Sequence, residues 1–257
     1  MTKTPKHQNT KTLIKKNGFF LIGTGMTQNS LTAEALEILQ QADKIYLENY
    51  TVNFPYPKEK LEKIYNITIQ ELDRQKIEDE SILQEAKTKN IALLVYGDAL
   101  SATTHTQLIL ECKNLQIPYQ VLHNASILTA IAETGLSLYK FGKTTSMPNW
   151  TEHTNKPTSF ANYIKQNQSI DAHTLILTDI GLEIKPAISQ LQESAKKENL
   201  TLPEKLIVIS HAGTPKQKIF YDTLGEIPKH KIRMPFCLII PINLNHIEKE
   251  TLEKPRI

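Results

Sequence analysis

The run IALLV (Ile91–Val95), followed by YGDALSATTHT (Tyr96–Thr106), decides the fold. An apolar stretch with no polar interruption describes a strand buried on both faces, as strands of parallel sheets are. Ending in Gly-Asp, it delivers a carboxylate to the sheet's carboxyl edge, where open α/β sheets bind their ligands. Gly97 lets backbone approach a ligand closely, and Asp98 offers acceptor oxygens for hydroxyl or ammonium donors. Thr103 and Thr104 are expected to cap the following helix, which buries Leu108, Ile109, Cys112 and Leu115. Taken alone, the stretch also reads as a plain strand–turn–helix connection with a turn aspartate.

Working outward, the same grammar repeats. FFLIG (Phe19–Gly23), KIYLE (Lys44–Glu48), NITIQ (Asn66–Gln70) and PYQVLH (Pro118–His123) read as further strands. Ser30 or Thr32 is placed to cap a helix whose Ala35, Ile38, Leu39 and Ala42 form one apolar face. A short helix over Ile127–Thr134 is expected to stop at Gly135. A second set follows, with strands at Thr144–Met147, His173–Thr178, Lys205–Ser210 and Cys237–Ile242, and helices near Ser159–Gln166 and Pro186–Lys197. In the first set, strands alternating with helices predict a largely parallel sheet covered on both faces. The organisation expected is therefore α/β: a tail over 1–17, an α/β domain over 18–125 and a second over 126–257, with a ligand cleft between the two domains.

Composition narrows the class. The chain has 257 residues, 40% hydrophobic and 22% charged, which is ordinary for a soluble globular protein. No apolar run approaches the roughly 20 residues of a membrane span, and the N-terminus has no apolar signal-like segment. Cys112 and Cys237 sit in apolar patterns and read as core thiols of a reduced, cytoplasmic protein, not as a disulfide. The net charge of +3 is local: residues 1–17 hold five lysines and no acid, and the remainder has 25 basic against 27 acidic residues. That tail is expected to be a solvated, disordered extension. Three arginines, Arg74, Arg233 and Arg256, are too few and too scattered to suggest specific nucleic-acid recognition.

Gly23-Thr24-Gly25 after the first strand invites a dinucleotide reading, but the third glycine of that fingerprint falls on Gln28. His105, His123, His173 and His211 lie in or beside conspicuous stretches, yet match no metal-ligand spacing, so packing and hydrogen bonding are expected of them and no metal. Tyr139-Lys140-Phe141 fits either the lining of a cleft or a linker packed between domains.

Taken together, FLIGTGM (Phe20–Met26), LENYT (Leu47–Thr51), the GDALSATTHT stretch, HNASI (His123–Ile127), TGLSLYKFG (Thr134–Gly142), NKPTSF (Asn155–Phe160), HTLILTDI (His173–Ile180) and SHAGT (Ser210–Thr214) resemble, in order and spacing, the diphthine synthase family. These are methyltransferases with the tetrapyrrole-methylase fold. The resemblance runs from about Phe19 past Pro241. It implies S-adenosyl-L-methionine as methyl donor, held by Met26, Asp98, Ser101, Ser126, Ile127, Thr178, Ala212 and Phe236, with no catalytic residue assigned. Two positions depart from the family pattern: Ala99 stands where proline is usual, and Phe236 where histidine is common. The substrate implied is the aminocarboxypropyl-modified histidine of translation elongation factor 2. Transfer is expected to proceed at the amino group and to stop at three methyls, without an ester. A homodimer is implied too. The alternatives are a tetrapyrrole or ribosomal RNA methyltransferase of the same fold, disfavoured by ATTHT with LYKFG and by scarce arginine, and a non-catalytic protein binding elongation factor 2.

Overall fold

The computed structural model describes residues 17–52, 54–73, 76–77, 81–153 and 155–254. The basic tail, apart from Asn17, lies outside them, as do Arg74 and Arg256. The first half runs β1 (Gly18–Gly23), α1 (Ala33–Leu39), β2 (Lys44–Glu48), α2 (Lys58–Tyr65), β3 (Gln70–Leu72), α3 (Ser81–Ala86), β4 (Asn90–Val95), α4 (Thr106–Asn114) and β5 (Tyr119–Leu122). The strands form one sheet in the order β3-β2-β4-β1-β5, every pairing parallel. All carboxyl ends therefore lie along one edge, and Asp98 sits just past the central strand β4. Alternation along the strands feeds two cores: Leu21 and Leu93 pack on one face, Ile22 and Leu94 on the other.

Local chemistry accounts for most boundaries, and two expectations shift. Thr32 caps α1, accepting from the Ala35 amide at 3.1 Å. Thr103 and Thr104 do not cap α4, whose N-cap is His105 with no side-chain cap bond. Thr103 Oγ1 instead pairs with His105 Nδ1 at 2.8 Å. The strand expected at Asn66–Gln70 lies further on, because Asn66 adopts φ 52° as the left-handed C-cap of α2.

The second half contains α5 (Ile127–Ala130), β6 (Thr145–Met147), α6 (Ser159–Ser169), β7 (Thr174–Thr178), α7 (Ile184–Lys197), β8 (Lys205–Ser210), β9 (Lys218–Thr223), β10 (Phe236–Ile240) and α8 (His246–Glu253). Its sheet has the order β6-β7-β10-β8-β9 and is mixed: β10 runs antiparallel to both β7 and β8, and β8 antiparallel to β9. The parallel sheet expected of the first half is realised there and is not repeated here. The seven residues between β8 and β9 are too few for a parallel crossover, which takes a dozen or more. Val208 and Leu238 pack under α6 and α7, while Ile207, Ile209 and Ile239 on the opposite face join Met26 and Ile131 in one core. That shared core fixes the two sheets against each other.

LYKFG belongs to this junction. Lys140 Nζ donates to the Ile242 and Asn243 carbonyls and lies 3.5 Å from buried Glu248. Glu248 also accepts from the Ser137 amide and faces His173 Nε2 at 3.2 Å. The Ile242 amide donates to His173 Nδ1, so the proton of this ring sits on Nε2 and points at Glu248. Burial holds His173 below the usual imidazole range despite that carboxylate. Of Tyr139-Lys140-Phe141, none is among the described cleft-lining residues: Lys140 and Phe141 pack at the linker, while Tyr139 faces solvent.

Candidate active site

Two loops meet at the edge of the first sheet. Gly25 and Gly97 exchange backbone hydrogen bonds at 2.9 and 3.0 Å, both in left-handed conformations, φ 71° and 74°. A Cβ on Gly25 would stand 2.5 Å from Ser30 Cβ, and one on Gly23 2.6 Å from the Gly97 carbonyl. The glycines of GTG therefore serve the close approach of one chain segment to another, which is why no dinucleotide fingerprint completes itself here. Tyr96 Oη donates to the Met26 carbonyl at 3.1 Å and pins the same junction.

Asp98 builds the loop beside it. Oδ1 accepts from the Leu100 amide and Ser101 Oγ, both at 3.0 Å. Oδ2 pairs with His123 Nδ1 at 2.8 Å and accepts from the Asn124 amide at 3.0 Å. Burial pushes the Asp98 pKa up, but the Leu100 and Asn124 amides, with His123 and Ser101, outweigh it and hold the carboxyl below its ordinary range. A carboxylate has about four lone-pair sites, and the chain itself supplies four donors. Its oxygens are thus engaged by its own chain, and Asp98 shapes the loop that lines the cleft. His123 is thus the HNASI residue that ties β5 to the YGD turn, and Ser126 caps α5 reciprocally with Thr129.

Deeper in the same sheet, Glu48 is fully buried at the end of β2. It accepts from the Tyr50 and Thr51 amides at 2.8 and 2.6 Å and from Thr51 Oγ1 at 2.8 Å. His105, 1% exposed, keeps Nε2 without a partner among the described residues. Burial lowers its pKa against the opposing pull of Glu48 and the Ala99 carbonyl.

The second sheet offers its own edge. Thr178 Oγ1, at the end of β7, donates to the Phe236 carbonyl at 2.6 Å. Ser210 Oγ donates to the Arg233 carbonyl, and His211 Nε2 meets the Met234 carbonyl, both at 2.6 Å. These bonds lock the SHAGT turn onto the MPF segment.

A cleft of about 510 Å³ opens between the two edges, well inside the range of small-molecule sites, roughly 300 to 1,000 Å³. Met26, Asp98, Ser101, Ser126, Ile127, Thr178, Ala212 and Phe236, drawn from both halves of the sequence, all line it. Sequence reasoning did not single out Thr51, Ser146, Ser159 or Asp179, which line it as well. Asp179 carried a readable signal, since HTLILTD repeats the apolar-run-then-acid pattern of IALLVYGD. The serines carried none. Of the four conspicuous histidines, none is among the described lining residues. Groups of three or more potential metal ligands are absent among the described residues.

The cleft's electrostatics are one-sided. Asp98 and Asp179 line it, and no lysine, arginine or histidine does among the described residues. Cys237, at its apolar base, has its thiol pushed up by burial. Such a cleft favours a positively charged ligand.

Comparison with known proteins agrees with this architecture. Residues 18–228 match the family described as Tetrapyrrole (Corrin/Porphyrin) Methylases. The chain belongs to the tetrapyrrole methylase family. Among similar members, the diphthine methyl ester synthase of Mus musculus is 42% identical over 266 residues, covering 91% of this chain and 94% of that protein. That of Schizosaccharomyces pombe is 34% identical over 263 residues, covering 91% and 93%. A crystal structure of diphthine synthase superposes with a TM-score of 0.82 at 30% identity, covering 91% of this chain and 93% of that one. Within the tetrapyrrole methylase family, the chain therefore groups with the diphthine synthases and is a methyltransferase.

Proposed function

We propose that the chain methylates the aminocarboxypropyl-modified histidine of translation elongation factor 2, using S-adenosyl-L-methionine held in the cleft. The observation that carries this reading is the gathering of Met26, Asp98, Ser101, Ser126, Ile127, Thr178, Ala212 and Phe236 on the walls of one cleft that has carboxylates and no lining cation. Such walls fit a ligand combining an apolar base, hydroxyls and a cationic sulfur. The Asp98 loop would present the Gly97 and Ser101 backbone to the polar end. Phe236 and Ala212 would supply apolar walls, Phe236 by contact alone. Bound there, S-adenosyl-L-methionine supplies a methyl group already activated on positive sulfur. The work left to the protein is seating, alignment and exclusion of water, and holding reacting atoms about 3 to 3.5 Å apart can account for much of the rate.

The named relatives are methyl ester synthases, which supports carrying the reaction past the amino group. The expectation of a stop at three methyls is replaced by one of four: three on nitrogen and one on the carboxylate. Incubating modified elongation factor 2 with the chain and cofactor, followed by mass spectrometry, tests both points. A gain of four methyls, one removed by mild base, is expected; a stable gain of three refutes the ester, and no gain refutes the function.

We further propose two α/β domains dividing near residue 125, supported by two sheets that share no strand, and a homodimer. Leu128, Leu138 and Tyr139 face solvent close together in sequence, and association would cover them. Light scattering at micromolar concentration should give twice the monomer mass, and a monomer refutes the dimer. No described helix is long and apolar enough to cross a membrane, and the reduced cysteines support a cytoplasmic location.

A further inference from the structure

Resting on the proposed substrate, we infer that Asp179 seats the amino group of the incoming side chain. Only two carboxylates line the cleft among the described residues, and they differ in what they have left to give. Asp98 is saturated by four donors from its own chain. Asp179 accepts two: Oδ2 from the Asn149 amide at 3.2 Å and Oδ1 from the amide of Ile180, next in sequence, at 2.9 Å. About half of its lone-pair sites stay open, and the residue is half-buried at the cleft wall.

Among the described lining residues, no other side chain offers an open carboxylate. Thr178 Oγ1 is committed to the Phe236 carbonyl and Tyr96 Oη to that of Met26. Ser146 and Ser159 bring uncharged hydroxyls to the lining, and a hydroxyl binds an ammonium less strongly than a carboxylate does. The two amides hold Asp179 in place before a ligand arrives.

The geometry has a consequence for the order of methyl additions. An amine bearing N–H groups donates to Asp179 with a charge-assisted hydrogen bond. Each transfer forms an N–CH3 bond as the S–CH3 bond breaks, the sulfur leaving as a neutral thioether and one N–H proton passing to water, and the trimethylated nitrogen has no N–H left to donate. Asp179 therefore matters most for the first transfer and least for a transfer to the carboxylate of the trimethylated side chain.

The test uses the full chain, wild type and Asp179→Asn, on two substrates: elongation factor 2 with the unmethylated side chain, and the same factor already trimethylated. First-methyl transfer should fall about tenfold to a hundredfold, the worth of one hydrogen bond to a charged group. Transfer to the trimethylated factor should fall at least about tenfold less than that. Asp179 also adds to the negative charge of the cleft, so cofactor affinity by calorimetry should fall as well, but by a clearly smaller factor than first-methyl transfer. Asp179→Glu, which restores the charge, should recover part of the first transfer and keeps the test open if the asparagine variant folds poorly. Equal losses on both substrates, a matching loss of cofactor affinity, or an unchanged first transfer each overturn the inference. A wild-type chain that transfers nothing to either factor overturns the function and this role with it.

Discussion

Asp98→Ala probes whether the carboxylate acts as a loop-building hub. The side chain is 10% exposed and accepts four hydrogen bonds. Truncation leaves the Leu100 and Asn124 amides without an acceptor in part-buried surroundings. A buried donor left unpaired costs about 1 to 3 kcal/mol, and partial exposure keeps each near the lower end, so the pair should cost about 2 to 3 kcal/mol. Ser101 can rotate toward water, and the His123 side chain is 67% exposed, so neither adds much. For a chain of this length the loss corresponds to a fall in Tm of roughly 4 to 12 °C. Cofactor affinity should drop about tenfold or more, the worth of about 1.4 kcal/mol, because the loop carrying Gly97 and Ser101 loses its anchor. Asp98→Asn keeps one acceptor oxygen and should show roughly half the stability loss. Urea denaturation and titration calorimetry measure both quantities. An Asp98→Ala protein with an unmoved urea midpoint would refute the hub, and a destabilised one with unchanged affinity would refute the link from loop to cofactor. Because the folded carboxyl lies below its ordinary pKa, its contribution is present above the unfolded value, about 3.9, and is lost as pH falls through the folded one.

Gly25→Ala should cost roughly 2 kcal/mol or more, since φ 71° disfavours a Cβ and that atom would stand 2.5 Å from Ser30 Cβ; an unchanged urea midpoint would show that the GTG–YGD junction yields easily. His105 and His173 are both lowered, chiefly by burial, so each stays neutral in the fold while the unfolded chain takes up a proton below about pH 6.5. Their contribution is complete above that pH and is lost as pH falls. The urea midpoint should drop between pH 7.5 and 5.5, and should drop less in His173→Gln; an equal drop in both proteins excludes His173 as a source. Deleting residues 1–17, which lack apolar periodicity, should leave the melting temperature and methyl transfer unchanged. A folded, inactive truncation would assign the tail to substrate capture.

Much was readable from the sequence by itself because it depends on nearest neighbours along the chain. Uninterrupted apolar runs located β1, β2, β4, β7, β8 and β10, Thr32 marked the start of α1, and Gly135 the stop after α5. The motifs named the family and the eight residues that line one cleft. The tertiary structure decided what depends on residues far apart. Periodicity carries no information on strand direction, so the mixed second sheet followed from its pairing partners and a connection of seven residues. Acceptor capacity is invisible in a string as well: Asp98 and Asp179 both end apolar runs, yet only folding brings His123 and Asn124 onto Asp98 and fills it. Lys140, His173 and Glu248, distant in sequence, came together only when α8 packed over the linker, with His173 and Glu248 buried and Lys140 half-buried beside them. Local chemistry placed each charge at its sheet edge, and long-range packing determined which of them kept lone pairs open to a ligand.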